Sequence, residues 1–460
     1  MNVRQMYTGC LAQAAYFIES GGEAAIIDPL RDTYEYIRLA DTFSAKIKYI
    51  FETHFHADFV SGHLELAEKT GAKIVYGPGA KAAYEFHEAT DGETFTLGNI
   101  SLTLLHTPGH TMESSCILLK DEAGNLNSIF TGDTLFIGDV GRPDLAVKSN
   151  LSKEDLAAHL YHSIHSKILP LPDNILVYPG HGAGSACGKN LSSETTDTLG
   201  NQKKFNYALQ PMSVTEFIHK VLDGLSPAPM YFPQNAAINK TGYETMQEVY
   251  ERALKPLNAD EFERISEESD VLILDTRNAA SFAESHITDS IQIGLEGPFA
   301  PWVGTLIPEV HHRLLLVTEN GQEAETVKRL SRIGFDHVEG YLDGGMKTWI
   351  AAGKKTESIR QIGPDEFSLV CNGESTMILD IRRPAEYEAE HIHTATNYPL
   401  DYVSDWVDKL DKDKHFYLHC AGGYRSMIAA SILKTKGVNF TEVKGGFSVI
   451  KNHLNQDWIR

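Results

Sequence analysis

Cysteine is scarce in this chain. Five thiols, Cys10, Cys116, Cys187, Cys371 and Cys420, are spread over 460 residues. An odd, sparse set does not make a disulfide framework and reads as free thiols in a reducing compartment. Long apolar runs are also missing, since no stretch approaches the roughly 20 residues a membrane span needs. The N-terminus, Met1-Asn2-Val3-Arg4-Gln5-Met6, lacks the charged and apolar blocks of a signal peptide. These absences predict a cytoplasmic protein with no membrane partner. Basic charge is in deficit too: 41 Lys and Arg stand against 62 Asp and Glu, for a net charge of −21. A polyanion would be repelled, which excludes nucleic acid as a partner while allowing a local basic pocket for a small anion.

What is present is ordinary globular composition, 42% hydrophobic and 22% charged, in a chain too long for one core; domain-size scaling predicts about three domains. The first half alternates short apolar runs with polar turns. Ala24-Ala25-Ile26-Ile27, Ile47-Lys48-Tyr49-Ile50-Phe51, Ile74-Val75-Tyr76 and Ile129-Phe130-Thr131 read as buried strands, and Gly62 to Thr70 as a helix. Polar clusters close these runs: Asp28-Pro29, Glu52-Thr53-His54 and Thr131-Gly132-Asp133. Side chains just past strand ends are held by a sheet yet face an open edge, the placement catalysis needs. A Pro- and Gly-rich segment, Leu222 to Gly242, closes this region.

Past Pro256 an internal repeat begins. Val271-Leu272-Ile273-Leu274-Asp275-Thr276-Arg277 recurs as Met377-Ile378-Leu379-Asp380-Ile381-Arg382, and Glu339-Gly340-Tyr341-Leu342-Asp343-Gly344-Gly345 as Thr441-Glu442-Val443-Lys444-Gly445-Gly446. The period of roughly one hundred residues is domain-sized. Strand-then-helix alternation in each copy predicts small α/β domains with parallel sheets. The expected division is residues 1–250, 256–356 and 360–460.

Two constellations carry chemistry. The first starts at Thr53-His54-Phe55-His56-Ala57-Asp58-Phe59 and continues through Pro108-Gly109-His110, Gly132-Asp133 and Pro179-Gly180-His181. Two histidines at i and i+2 after a strand can face one cleft, and each later cluster sets a His or Asp beside a glycine, where the backbone can turn tightly. His63, His87 and His106, taken singly, read as hydrogen-bonded structural histidines. The convergent set reads as a metal site, and spacing alone makes His54, His56, Asp58, His110, Asp133 and His181 equally good ligands. Ligand type admits iron, zinc or manganese.

The second is Phe416-Tyr417-Leu418-His419, a strand, followed by Cys420-Ala421-Gly422-Gly423-Tyr424-Arg425-Ser426 and an apolar helix. The pair Gly422 and Gly423 lets successive amides point at one spot, and the helix N-terminus adds positive potential there. Both favour a Cys420 thiolate ready to act as nucleophile, with Arg425 closing the cradle around an anionic sulfur. In the first repeat Glu319 falls opposite Cys420 and Ala324 opposite Arg425. That copy has lost nucleophile and clamp, and a structural or docking role is expected for it. Cys116 reads as core packing, and Cys10 lies in a strand-like context.

The first constellation resembles the metallo-β-lactamase superfamily over roughly residues 1–250. The resemblance implies an αββα fold, followed here by two α/β domains that resemble rhodaneses. Phe59 stands where that superfamily has its second-metal histidine, which favours a mononuclear site over a binuclear zinc one. Within the superfamily the chain is similar to the persulfide dioxygenases, whose iron is held by two histidines and one aspartate. That implies Fe(II), one per chain, on His54, His110 and Asp133, with His56, Asp58 and His181 orienting ligands and waters. Such a face leaves positions open for O₂ and a substrate sulfur. Arg142, after Gly141, is expected to clamp the substrate's polar tail, and Cys187 to lie near the metal mouth and handle sulfur. The C-x-x-G-x-R loop resembles the rhodanese family over residues 360–460, and its length suits a single sulfur atom, one residue shorter than the phosphate loops of cysteine phosphatases.

The resulting expectation is a persulfide dioxygenase that oxidises a low-molecular-weight thiol persulfide with O₂ to sulfite, coupled to thiosulfate/persulfide sulfur transfer at Cys420. Glutathione, coenzyme A, bacillithiol and cysteine all remain open as the thiol. The family resemblance also implies self-association. Two alternatives are a glyoxalase II-like thioester hydrolase with rhodanese binding modules, and a sulfur-carrier scaffold with a vestigial metal site.

Overall fold

Period-two alternation decides the architecture of the first half. In the strand Gln13–Ser20, Tyr16 and Ile18 enter one apolar cluster while Phe17 between them enters another. In Ser115–Lys120, Ile117 and Leu119 face one way, and Cys116 and Leu118 the other. Strands with two apolar faces must be covered on both, so two sheets stack face to face and helices cover their outer faces. We describe this as a computed structural model covering all residues except 147–150, 226, 372, 374 and 375. It separates into two compact units, Met1–Met246 with Ser331–Gly334, and Gln247–Leu330 with Phe335–Arg460.

In the first unit, a six-stranded sheet runs in sequence order through Asn2–Thr8, Gln13–Ser20, Glu23–Ile27, Lys46–Phe51, Lys73–Tyr76 and His87–Glu88. The last four strands are parallel, linked by the helices Tyr34–Thr42 and His63–Thr70. A second six-stranded sheet includes Ile100–His106, Ser115–Lys120, Leu126–Gly132 and Leu176–Pro179. Phe51, Val75, Leu102, Ile117 and Phe130 fill the space between the sheets. Leu39 and Leu66 cover the outer face of the first sheet, and Leu160 and Phe217 that of the second. The layers are αββα, as expected. The two sheets meet where Ser115 N donates to Thr53 O and Ala14 N to Gly180 O. This is the edge at which the polar clusters emerge.

One local reading, that of Cys10, needs correction, and the segment that closes the first region is more regular than its proline content suggests. The segment Leu222 to Gly242 (residue 226 lies outside the described residues) contains a helix, Phe232–Thr241. Its proline sits in the first turn, where no intrahelical donor is lost. Cys10 lies in the turn between Asn2–Thr8 and Gln13–Ser20, not in a strand. Cys116 is in the strand Ser115–Lys120 and fully buried.

The second unit has two five-stranded sheets, each all parallel along its main ladder. The repeat extends to side chains. Arg277 clamps Asp275 at 2.9 and 2.6 Å and donates to Ser285 O; Arg382 does the same to Asp380 at 2.9 and 2.6 Å and to Glu390 O. A buried carboxylate is tolerable only when so paired, so the repeated Asp-x-Arg motif is a buried strut. Among the described residues, no helix is long and apolar enough to cross a membrane.

Candidate metal centre and cysteine loop

The six candidate ligands do not converge as one set. His54 lies just past the strand Lys46–Phe51, His110 past Ile100–His106, Asp133 past Leu126–Gly132 and His181 past Leu176–Pro179. Their ligand atoms fall into three buried groups: His54, His110 and Asp133; Asp58, His181 and Cys187; Asp28, Glu52 and His56.

Backbone and side-chain acceptors orient the imidazoles. Nδ1 of His54 lies 3.0 Å from Thr53 Oγ1, and Nδ1 of His110 2.8 Å from Arg142 O. Thr53 Oγ1 itself donates to Asp28, so it accepts from His54. An Nδ1–H committed to an oxygen leaves Nε2 as a lone pair. Both Nε2 atoms then face Asp133 Oδ2, at 4.0 Å from His54 and 3.5 Å from His110. Burial, with three neighbouring imidazoles adding to it, holds His54 well below the usual pKa and therefore neutral. Both carboxylate oxygens of Asp133 are buried without a hydrogen-bond partner among the described residues. An isolated buried carboxylate is costly, and a divalent cation held between it and the two Nε2 atoms would remove the cost. This donor set fits a metal.

His56 points elsewhere. Its Nε2 is 3.0 Å from Asp28 and 3.3 Å from Glu52, and its ring stacks on Phe59 with centroids 4.2 Å apart. Burial alone would keep it neutral, but the two carboxylates outweigh burial and push its pKa well above the usual value. Spacing had left His56 equal to His54; side-chain direction separates them. Glu52 also accepts from Ser61 and faces His63 at 3.4 Å, so His63 is a structural histidine as expected.

His181 Nδ1 is 3.1 Å from Ala12 O, leaving Nε2 3.3 Å from Asp58 and 3.5 Å from Asp133 Oδ1. Cys187 joins these two, and burial, with Asp58 and Asp133 nearby, raises its thiol well above the ordinary range. Arg142 was read as an anion clamp. Its guanidinium is held by Asp144 at 2.8 and 2.7 Å and by Ala186 O, while its carbonyl orients His110.

Sequence reading missed four residues that build this site. Asp28, with φ 51°, accepts from Thr53 N and Oγ1 and so fixes the turn that carries His54. Glu52 completes the pairing of His56. Asn239 Nδ2 donates to His56 O and Phe59 O while its Oδ1 accepts from Ser61 N, and Tyr231 donates to Asp58 O. The signal for Asp28 and Glu52 was present, since both lie in strand-end polar clusters; nothing marked Asn239 or Tyr231. Gly180 is required by closeness, as a Cβ there would lie 2.7 Å from Asp133 Oδ1. Gly180→Ala should weaken metal binding about 10-fold or more, measured by chelator competition, with an unchanged near-ultraviolet dichroism spectrum.

In the second unit, Cys420 ends the strand His415–His419, and the helix Tyr424–Thr435 begins at Gly423, φ 102°. Gly423 N donates to Cys420 Sγ at 3.0 Å. The Gly445-Gly446 pair lies beneath: a Cβ on Gly446 would meet the Ala421 carbonyl carbon and Cys420 O at 2.6 Å. Phe447 N also donates to Cys420 O, so this second glycine turn supports the cysteine loop. Arg425 is held bidentate by Glu386 at 2.6 and 2.7 Å; burial works to lower its pKa, but Glu386, with a smaller contribution from Cys420, outweighs burial and raises it. Glu319 in the first repeat accepts from Asn278. All five cysteines are free thiols.

The metallo-beta-lactamase superfamily model matches residues 8–181, and the rhodanese-like domain model matches residues 258–352 and 364–453. The mitochondrial persulfide dioxygenase of Mus musculus is 31% identical over 49% of this chain and 83% of its own length. A probable hydroxyacylglutathione hydrolase of Schizosaccharomyces pombe is 30% identical over 44% of this chain and 84% of its own. Among solved structures, a metallo-beta-lactamase from Staphylococcus aureus superposes with a TM-score of 0.65 at 33% identity, covering 74% of this chain and 98% of that one. Matched across both units in sequence and fold, the chain belongs to the metallo-beta-lactamase superfamily and carries two rhodanese-like domains after its lactamase-like domain.

Proposed function

We propose that this protein is a persulfide dioxygenase joined to a sulfurtransferase. The observation that carries the reading is the separation of one His-His-Asp face, His54, His110 and Asp133, from His56, whose ring is committed to Asp28 and Glu52. Ferrous iron, held by His54, His110 and Asp133, would supply oxygen activation toward a thiol sulfur. The chain's own part is positional. Thr53 and the Arg142 carbonyl fix the tautomers of His54 and His110, and burial keeps bulk water from the face. Asp58, His181 and Cys187 stand beside Asp133 where the persulfide would enter. Overall, a thiol persulfide, O₂ and water give the thiol and sulfite.

Cys420 would take the outer sulfur of thiosulfate, releasing sulfite, and hand it to a thiol, or run the reverse. One site's product is then the other's substrate, and fusion raises its local concentration. After thiosulfate treatment the full-length protein should gain the mass of one sulfur, and Cys420→Ser should not. A gain that survives in Cys420→Ser would place the acceptor elsewhere.

The relationship to a hydroxyacylglutathione hydrolase supports a second reading, thioester hydrolysis on two metals. Phe59, stacked on His56, opposes it. Elemental analysis with oxygen consumption, run on anaerobically iron-loaded protein across persulfides of glutathione, coenzyme A, bacillithiol and cysteine, separates the two. One iron per chain with oxygen uptake supports the dioxygenase; two metals with oxygen-independent thioester cleavage would replace it.

A further inference from the structure

Beside the cysteine loop lies a cavity of about 410 Å³, lined by Asn278, Gln292 and Glu296 of the first repeat and Gln361, Glu442 and Lys444 of the second. Tyr424 spans the repeats, its hydroxyl donating to Gly294 O at 2.7 Å. Glu442 belongs to the strand Asn439–Val443 and is only 1% exposed. One carboxylate oxygen accepts from Gln361 Nε2 at 2.9 Å, on the cavity side; the other accepts from Ser426 Oγ at 2.7 Å. Ser426 Oγ is 3.5 Å from Cys420 Sγ. An unbroken hydrogen-bonded line therefore joins the buried thiol to a carboxyl group on the cavity wall.

The repeat gives an independent observation. Aligned on the two glycine pairs, Tyr341 falls opposite Glu442 and Glu325 opposite Ser426. The copy without the nucleophile lacks both other members of the line. Neighbouring charges are mostly paired off: Arg425 with Glu386, and Asp380, 3.9 Å from His419, with Arg382. Lys444 and Glu296 line the cavity beyond Glu442, and His415 on the adjacent strand bonds Thr441. Glu442 is the carboxylate in line with the thiol.

We propose that Ser426 and Glu442 carry the Cys420 proton to the cavity wall, so that Cys420 and Glu442 share one proton and the thiolate forms without releasing it to water. The thiol proton passes to Ser426 Oγ as the serine's own proton passes to Glu442; the serine ends neutral and no proton is gained or lost. On the sulfur-transfer reading above, the thiolate then attacks the outer sulfur of thiosulfate. A Cys–S–S⁻ persulfide forms, sulfite departs with the electron pair of the broken S–S bond, and Glu442 gives its proton to the sulfite, which leaves as bisulfite while the carboxylate is restored. Burial raises the pKa of Glu442, opposed by Ser426, Gln361 and Lys444, which suits a proton holder. Glu442 acts through Ser426 and does not itself touch the sulfur.

The test is the rate of Cys420 alkylation by iodoacetamide in the full-length protein, read by peptide mass between about pH 6 and pH 8. Only the thiolate reacts, so a shared internal proton makes the rate nearly flat, changing less than about threefold. Glu442→Gln and Ser426→Ala should climb about tenfold per pH unit and lag by about tenfold or more near pH 6. Ser426→Thr keeps the hydroxyl and should follow the parent, which separates loss of the relay from loss of packing. Parallel profiles for the parent and every variant would overturn the proposal. Alkylation needs no sulfur donor. A flat parent profile that only the relay variants lose, without sulfur loading from thiosulfate, would therefore uphold the relay and remove the sulfur-transfer reading.

Discussion

Replacing His110 by alanine is expected to abolish oxygen uptake with a persulfide while leaving sulfur loading of Cys420 intact. His110 supplies one of two Nε2 atoms facing Asp133 Oδ2, and its Nδ1 is fixed by the Arg142 carbonyl. Removing it leaves one imidazole and one carboxylate, too few to hold iron in a defined geometry. Loss even of a hydrogen bond to a metal ligand costs about 10–100-fold in affinity or activity, and loss of the ligand should exceed that range. An oxygen electrode and elemental iron measure the first half, and the mass of the thiosulfate-treated chain the second. Full oxygen uptake by His110→Ala would mean that the metal face is vestigial.

His54→Ala and His56→Ala should fail in opposite ways, although the two histidines are two residues apart. His54→Ala should lose iron and fold nearly as well as the parent, because its ring is neutral and its partner Thr53 keeps Asp28. His56→Ala should keep one iron per chain and lose stability. It strips the counter-charge from Asp28 and Glu52, both buried. Removing one member of a buried ion pair costs about 3–5 kcal/mol, and a domain of this size loses about 2–4 °C in melting temperature per kcal/mol. Thermal unfolding and iron content, measured on both variants, check the crossing pattern. Iron loss in His56→Ala with an unchanged melting temperature would return His56 to the ligand set.

Much of this architecture was legible because the relevant physics is local. Ile47 to Phe51, Ile74 to Tyr76 and Ile129 to Thr131 fall inside observed strands since continuous apolar runs bounded by polar turns have few other ways to be buried. The duplicated Asp-x-Arg and Gly-Gly motifs marked two related domains, and each proved to sit at an equivalent strand end. The Pro- and Gly-rich segment still holds the helix Phe232–Thr241, because a proline in the first helical turn costs no intrahelical bond.

Direction and distance were not legible. The chain order of His54, His56, Asp58, His110, Asp133 and His181 pointed to one polar edge rich in metal-ligand types, together with the glycines that let strands turn there. Which of the six face one another depended on residues far away in sequence. Asp28 takes His56, Arg142 O turns His110, Ala12 O turns His181, and Asn239 pins the loop between them. The same holds for Cys420: its glycine loop was visible as a string, but Glu442 entered only because the parallel register sets Leu418 beside it. A motif specifies which donor groups are available. The acceptors that orient each donor come from other strands, and only folding brings them within hydrogen-bond range.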